Sequence, residues 1–205
     1  MAQHLFGGFA LVSAQDEGTR DGLAGFGLPP DRLRLDGNLK EGAPPPAADP
    51  EKLARLANAL ADRPVWLAAS THEGEEETVL AAHAGLLEPR QEALLILAPR
   101  HPARAVRLRE LLTQKGLSHV SRGTGSTPGP DTQVYLADTL GEMGLWYRLA
   151  PVVFLGGSLG SAGGHNPWEA AALGRGVLHG PNVPNAATAY AALARVGAAR
   201  PVTTA

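Results

Sequence analysis

The sequence predicts an α/β domain, a parallel sheet with helices on both faces. Strand-like apolar runs and helical patterns alternate along most of the chain. Parallel strands need crossover connections, and helices supply them. No internal repeat of solenoid or propeller period competes with this reading.

The elements follow in order. RLRLDGN (32–38) reads as a short strand after a Pro-containing turn. GAPPPAADP (42–50) is a Pro-rich linker that cannot be helical throughout. EKLARLANALADR (51–63) has helical spacing, with Leu53, Leu56 and Leu60 on one face. PVWLAAS (64–70) is a buried-strand run, 73–87 a helix, EALLILAP (92–99) a strand, and 102–116 a helix stopped at Lys115-Gly116. Short strands at 117–122 and 132–138 flank a loose loop. A helix at 139–150, a strand at 151–157, a short helix at 167–174, a strand at 176–180 and a helix at 185–197 complete the pattern.

Composition narrows the function. The 205 residues suit one sizeable domain or a domain plus an arm. Hydrophobic residues make up 44% and charged residues 19%, enough apolar material for a packed core. A net charge of -2 with no basic block argues against nucleic acid as a partner. The absence of cysteine excludes disulfides, thiolate zinc sites and a Cys nucleophile, and fits a reducing compartment. No apolar run approaches the ~18 residues of a membrane span. Residues 1–18 lack a cationic start and a long apolar centre, so no signal peptide is predicted.

In parallel α/β sheets, ligands sit at the carboxyl ends of the strands. Polar residues just after strands are therefore the candidates. After 64–70 come Ser70 and Glu73, with capping-box spacing. The acidic cluster Glu75–Glu77 falls in a first helical turn, where the macrodipole favours it. Ser70, Thr71 and His72 stand at the strand end itself and are the better functional candidates; one His beside several Glu makes no metal framework. After 92–99 come Pro99 and Arg100. Arg100 is placed either to meet an anion or to pair with a helix carboxylate. Asp138 or Thr139 can cap the helix at 139–150, with Thr139 and Glu142 spaced as a capping box. Gly141 is unfavourable in a first turn and admits a ligand close to the backbone.

The richest stretch is VVFLGGSLGSAGGHNPWEAAALGRG (152–176). Asn166 is a strong N-cap, Pro167 suits the first helical position, and Glu169 completes Asn-x-x-Glu. That is a good helix start, and it is also a place for phosphate, because a glycine loop before a helix presents backbone N–H groups to an anion. A carboxylate one turn in can accept from both hydroxyls of a ribose. The spacing is neither Gly-x-Gly-x-x-Gly nor a Walker loop, which disfavours a dinucleotide or ATP. The residues alone indicate a nucleotide-type ligand near Asn166–Glu169.

Five motifs carry a resemblance: GNLK (37–40), AASTHEGEEE (68–77), LAPRHPAR (97–104), DTLGEMGLWY (138–147) and FLGGSL…GGHNPWEAAALGRGVLHGP (154–181). Their order and spacing resemble those of 3-deoxy-D-manno-octulosonic acid (Kdo) transferases, from about Leu5 to the end of the chain. Members of that family are GT-B glycosyltransferases with two Rossmann-like domains. They move Kdo from CMP-Kdo to a lipid A precursor in lipopolysaccharide synthesis, at the cytoplasmic face of the inner membrane of Gram-negative bacteria. The resemblance implies that the chain is a Rossmann-like, C-terminal donor half, with Pro99, Arg100, Gly141, Glu142, Met143, Asn166, Pro167, Trp168 and Glu169 as CMP contacts. It implies that Lys40 stabilises the transition state, and it implies no metal or cofactor.

Family members are about twice this length, and their N-terminal domain carries the acidic general base and the membrane-associating segment. The expectation is therefore a chain cut at both ends. Residues 1–36 are the exit of the N-terminal domain, and 37–205 are a CMP-sugar-binding domain incomplete at its C-terminus. By itself such a chain is soluble, cytoplasmic and inactive. The competing readings are a GT-B transferase or sugar-nucleotide epimerase with a UDP donor, and a non-catalytic nucleotide-binding or partner module.

Overall fold

A computed structural model describes residues 5–204, Gly7 excepted. The first four residues, part of the stretch screened above for a signal peptide, lie outside this range. The chain divides into two compact units, 1–43 and 44–205.

The first unit holds β1 (Val12–Ala14), α1 (Glu17–Gly25) and β2 (Leu33–Leu35), with β1 and β2 paired in parallel. Asp16 caps α1 by accepting from the Thr19 amide at 2.7 Å. Only β2 falls within the strand predicted at 32–38; β1 is three residues long, too short to display a period.

The second unit contains α2 (Pro50–Leu60), β3 (Val65–Thr71), α3 (Glu75–Leu87), β4 (Leu94–Pro99), α4 (Ala105–Gln114), β5 (His119–Ser121), β6 (Val134–Leu136), α5 (Met143–Leu149), β7 (Val152–Leu155), α6 (Trp168–Ala171), β8 (Gly176–His179), α7 (Ala187–Arg195) and β9 (Ala199–Pro201). Its strands form one seven-stranded sheet, ordered β5-β6-β4-β3-β7-β8-β9, with every pair parallel. This is the parallel α/β sheet predicted. Side-chain alternation divides the core. Leu67, Ile96 and Val153 meet α2, α5, α6 and α7 through Leu56, Leu60, Trp146, Ala170 and Tyr190. Ala68, Leu95, Leu97 and Phe154 meet α3 and α4 through Leu80, Leu108 and Leu112. Both faces of the central strands are thus removed from water, the main favourable contribution to folding.

Strand order reverses between β3 and β7, which makes this pair the switch point of the sheet. β3 ends there in an irregularity. Its register against β4 shifts between Ala69 and Thr71, and Ser70 adopts φ +54°. A non-glycine residue in the left-handed region costs about 1–3 kcal/mol unless its surroundings hold it.

The Pro-rich linker lies across α5. Arg148 donates from Nη1 to the carbonyls of Pro46, at 2.7 Å, and Gly144, at 2.8 Å. A Cβ on Gly144 would overlap the Pro46 and Ala47 carbonyl oxygens. Gly144→Ala is therefore expected to cost about 1–3 kcal/mol by overpacking, measured as a lower urea midpoint with unchanged slope.

Candidate functional site

Glu75 organises the carboxyl edge. Its carboxylate is 2% exposed and accepts four backbone N–H groups. Oε2 takes those of His72 (2.8 Å) and Gly157 (2.7 Å); Oε1 takes those of Ser158 and Leu159 (both 2.9 Å). The loop after β3 is thereby fastened to the loop after β7. The glycine-loop amides anticipated for phosphate are thus occupied by the chain's own carboxylate. The acidic cluster Glu75–Glu77 does fill the first turn of α3, and two of its members, Glu75 and Glu76, are also buried. Glu76 receives the Arg104 guanidinium on both oxygens, at 2.7 and 3.2 Å. The Ser70–Glu73 capping box does not form, because α3 begins at Glu75 behind Gly74, whose φ is +91°.

Three histidines gather beside this clamp, in the loops after β3, β4 and β7. His72 Nε2 and His165 Nε2 lie 2.8 Å apart, with the rings stacked at 5.1 Å and 18°. His101, after β4, meets His72 edge-on at 6.1 Å. Gly157 leaves room for the pair: its φ is +69°, and a Cβ there would come to 3.0 Å from His165 Nε2. Burial first, then the charges of His72 and Arg100, push the His165 imidazole below its ordinary value. Arg100 is exposed and has no carboxylate within ion-pair distance among the described residues. Of its two sequence readings, pairing with a helix carboxylate is therefore not realised. Pro99 is the buried last residue of β4.

The loop after β6 departs from its predicted capping box. α5 begins at Met143, and Thr139 donates to Glu142 Oε2 at 2.7 Å instead of capping a helix. Asp138 holds the loop after β5, accepting from the Gly123 amide at 2.6 Å and from Ser121 Oγ. Glu142 is 12% exposed, and Arg122 donates to both of its oxygens, at 2.7 and 2.9 Å. Lys52 Nζ adds a contact at 3.0 Å. Arg122 chiefly, with Thr139 and Lys52, holds the Glu142 carboxyl at about 2 against the opposing effect of burial. The Glu142 side chain is thus committed within the protein. Gly141 is exposed with φ +78° and open space at its Cβ position.

At the loop after β7, Asn166 Oδ1 accepts from the Trp168 amide at 3.2 Å and Pro167 already has helical dihedrals, but the Glu169 side chain does not complete the predicted Asn-x-x-Glu arrangement. Glu169 is exposed in the first turn of α6 with no hydrogen-bond or ion-pair partner among the described residues, and its charge reaches Tyr147 on α5. Met143 and Trp168 pack against the same core cluster. Trp168 Nε1 and Thr71 Oγ1 are buried donors without a protein partner. Sequence reasoning missed the His72–His165 contact; the signal was a histidine after each of two strands, unreadable before β3 and β7 were known to be neighbours.

Arg100, Gly141–Met143 and Asn166–Glu169 therefore share one sheet edge. Lys40 belongs to the first unit, exposed on a 3₁₀ turn (Leu39–Gly42) where Asn38 Oδ1 accepts its amide at 3.0 Å. Among the described residues, no cluster of His, Asp and Glu could hold a metal ion, and no helix is long and apolar enough to cross a membrane.

A parallel sheet whose strand order reverses in this way, with helices on both faces, defines a domain of the Rossmann-like class. No protein-family model matches the chain. A Kdo transferase of Haemophilus influenzae is 37% identical over 183 residues, which are 87% of this chain and 42% of that protein. The Bordetella pertussis enzyme is 41% identical over 144 residues, 66% of this chain and 33% of that protein. Among solved structures, the C-terminal CMP-Kdo binding domain of WaaA from Acinetobacter baumannii superposes with a TM-score of 0.71 at 35% identity, covering 75% of this chain and 81% of that one. The chain belongs to the 3-deoxy-D-manno-octulosonic acid transferase family and corresponds to its C-terminal domain. It spans under half the length of the curated relatives.

Proposed function

We propose that the chain binds CMP-Kdo by its CMP moiety and is the donor-binding part of an inverting Kdo transferase. The observation that carries this is a pair of uncommitted charges at the switch-point edge, Arg100 and Glu169. Arg100 keeps its charge at any working pH and is free to meet the phosphate. Glu169 is free to accept from the ribose hydroxyls. Pro99, Gly141, Met143, Asn166, Pro167 and Trp168 line the nucleotide by backbone and packing, with Glu142 acting through its backbone while its side chain holds Arg122. Likeness to the CMP-Kdo binding domain of the Acinetobacter baumannii protein supports the choice of nucleotide.

In the whole enzyme, an acceptor hydroxyl of a lipid A precursor attacks the anomeric carbon of Kdo. A carboxylate of the N-terminal domain takes the proton, CMP departs, and Lys40 offsets the charge developing on it. We assign residues 1–36 to the exit of that N-terminal domain and 37–205 to the donor domain. The enzyme acts at the cytoplasmic face of the inner membrane, reached through its N-terminal part. The chain alone binds and does not turn over; Kdo transfer by the isolated chain would overturn that statement.

Calorimetry tests the nucleotide. CMP is expected to bind at least ~10-fold more tightly than UMP or UDP, a difference of about 1.4 kcal/mol. Arg100→Gln is expected to weaken CMP binding by roughly 10- to 100-fold, the loss of one charge-assisted contact. Tighter UDP would replace the CMP assignment with a UDP-sugar donor.

A further inference from the structure

The His72–His165 contact constrains where protons can sit. A 2.8 Å separation between two Nε2 atoms requires one hydrogen between them, so one Nε2 donates and the other accepts. In the neutral pair, the donor ring has a bare Nδ1 and the acceptor ring carries its hydrogen on Nδ1. One added proton goes to the bare Nδ1. The Nε2–H···Nε2 bond survives, the pair carries one positive charge, and both Nδ1 atoms become donors. A second proton would have to take the accepting Nε2, breaking the bond and setting two cations face to face. Neither Nδ1 has a protein partner among the described residues, and neither is buried, so both reach solvent.

The surroundings select between these states. Burial first, and then Arg100 and His101 after β4, disfavour a positive charge on His165, whereas Glu75 favours one. The hydroxyl of Tyr190, from α7, donates to the His165 carbonyl at 2.8 Å, and its ring packs on His179, from β8, at 4.3 Å. In the neutral pair the bare Nδ1 lone pair repels an anion. An anion docking beside Arg100 therefore favours the charged pair.

Resting on the CMP-Kdo reading above, we infer that the His72–His165 pair is a proton-coupled anion latch, taking up one proton when an acidic group of the donor docks. The chemistry it recognises is a singly charged oxyanion, and the donor offers two, the phosphodiester and the sugar carboxylate.

The test uses the 205-residue chain and probes of constant charge between pH 6 and 8. The methyl ester of CMP carries the phosphodiester alone, and free Kdo carries the carboxylate alone. Titrations in two cationic buffers of unlike ionisation enthalpy, Bis-Tris and imidazole, count the protons exchanged. The latched probe is expected to bind roughly fivefold or more tighter at pH 6 than at pH 8, as uptake of one proton on a group whose affinity for it rises about tenfold near neutrality requires. It is expected to take up about half a proton or more near pH 7, as such a rise requires. Whichever probe shows this coupling identifies the group held. His72→Gln and His165→Gln are expected to abolish the pH dependence. His101→Gln is expected to leave most of it, and His119→Gln, on β5, all of it. Ester binding of equal strength at both pH values, with no proton exchanged by either probe, would overturn the latch and leave the CMP reading standing. Failure of the ester to bind at any pH would overturn both.

Discussion

Glu75→Gln is expected to lower stability by about 3–5 kcal/mol, the scale for removing one partner from a buried charged network. The carboxylate accepts four amides, two on each oxygen, and is nearly inaccessible to solvent. An amide side chain keeps one oxygen and turns an NH₂ toward two N–H groups, so donors face donors in a site that water does not reach. Each buried donor left unpaired costs about 1–3 kcal/mol. For a domain of this size, the melting temperature is expected to fall by about 10 °C or more. The loops after β3 and β7 would also lose their common anchor, so CMP affinity should fall with stability. A melting temperature within about 2 °C of the unsubstituted chain would refute this role, since that corresponds to about 1 kcal/mol or less.

Acid unfolding is expected to depend on Glu142. Its carboxyl sits at about 2 in the fold against an ordinary value of 4.5. A lowered carboxyl contributes stability that is fully present above the unfolded value. That contribution is lost as pH falls through the folded one. The unfolding free energy from urea titrations should therefore decline between about pH 4.5 and 2, by on the order of 2 kcal/mol after allowing for solvent at the edge of the network. Glu142→Ala is expected to cost about 2–3 kcal/mol at pH 7, because Arg122 and Lys52 are left without their common partner. It should also flatten the acid limb. An unchanged acid limb in that variant would assign the decline to other carboxylates.

Much of the architecture was legible because its causes are local. The apolar runs containing β3, β4 and β7 and the helical faces of α2 and α4 each declare themselves within about a dozen residues. Asn166-Pro167 announced a helix start by the same short-range chemistry, and Asn166 does meet the Trp168 amide, though Glu169 does not turn back to complete Asn-x-x-Glu. The errors cluster where a polar side chain finds a distant partner. Ser70–Glu73 and Thr139–Glu142 had capping-box spacing, yet neither caps. Ser70 lies at the register shift ending β3, and Glu142 is claimed by Arg122. The short strands β1 and β9 contain too few residues to show a period.

The same division runs through the candidate site. Placing Arg100, Gly141–Met143 and Asn166–Glu169 after strands needed only the alternation of elements and the rule that ligands gather at carboxyl ends. The occupant of the glycine-loop amides, and the pairing of His72 with His165, needed the strand order. Glu75 lies 82 to 84 residues from the loop amides it binds, and His72 lies 93 from His165. Hydrophobic period and capping act over one or two turns of chain and are written in neighbouring residues. Which charge meets which amide depends on β3 and β7 being neighbours, and only the packing of the whole sheet sets that adjacency.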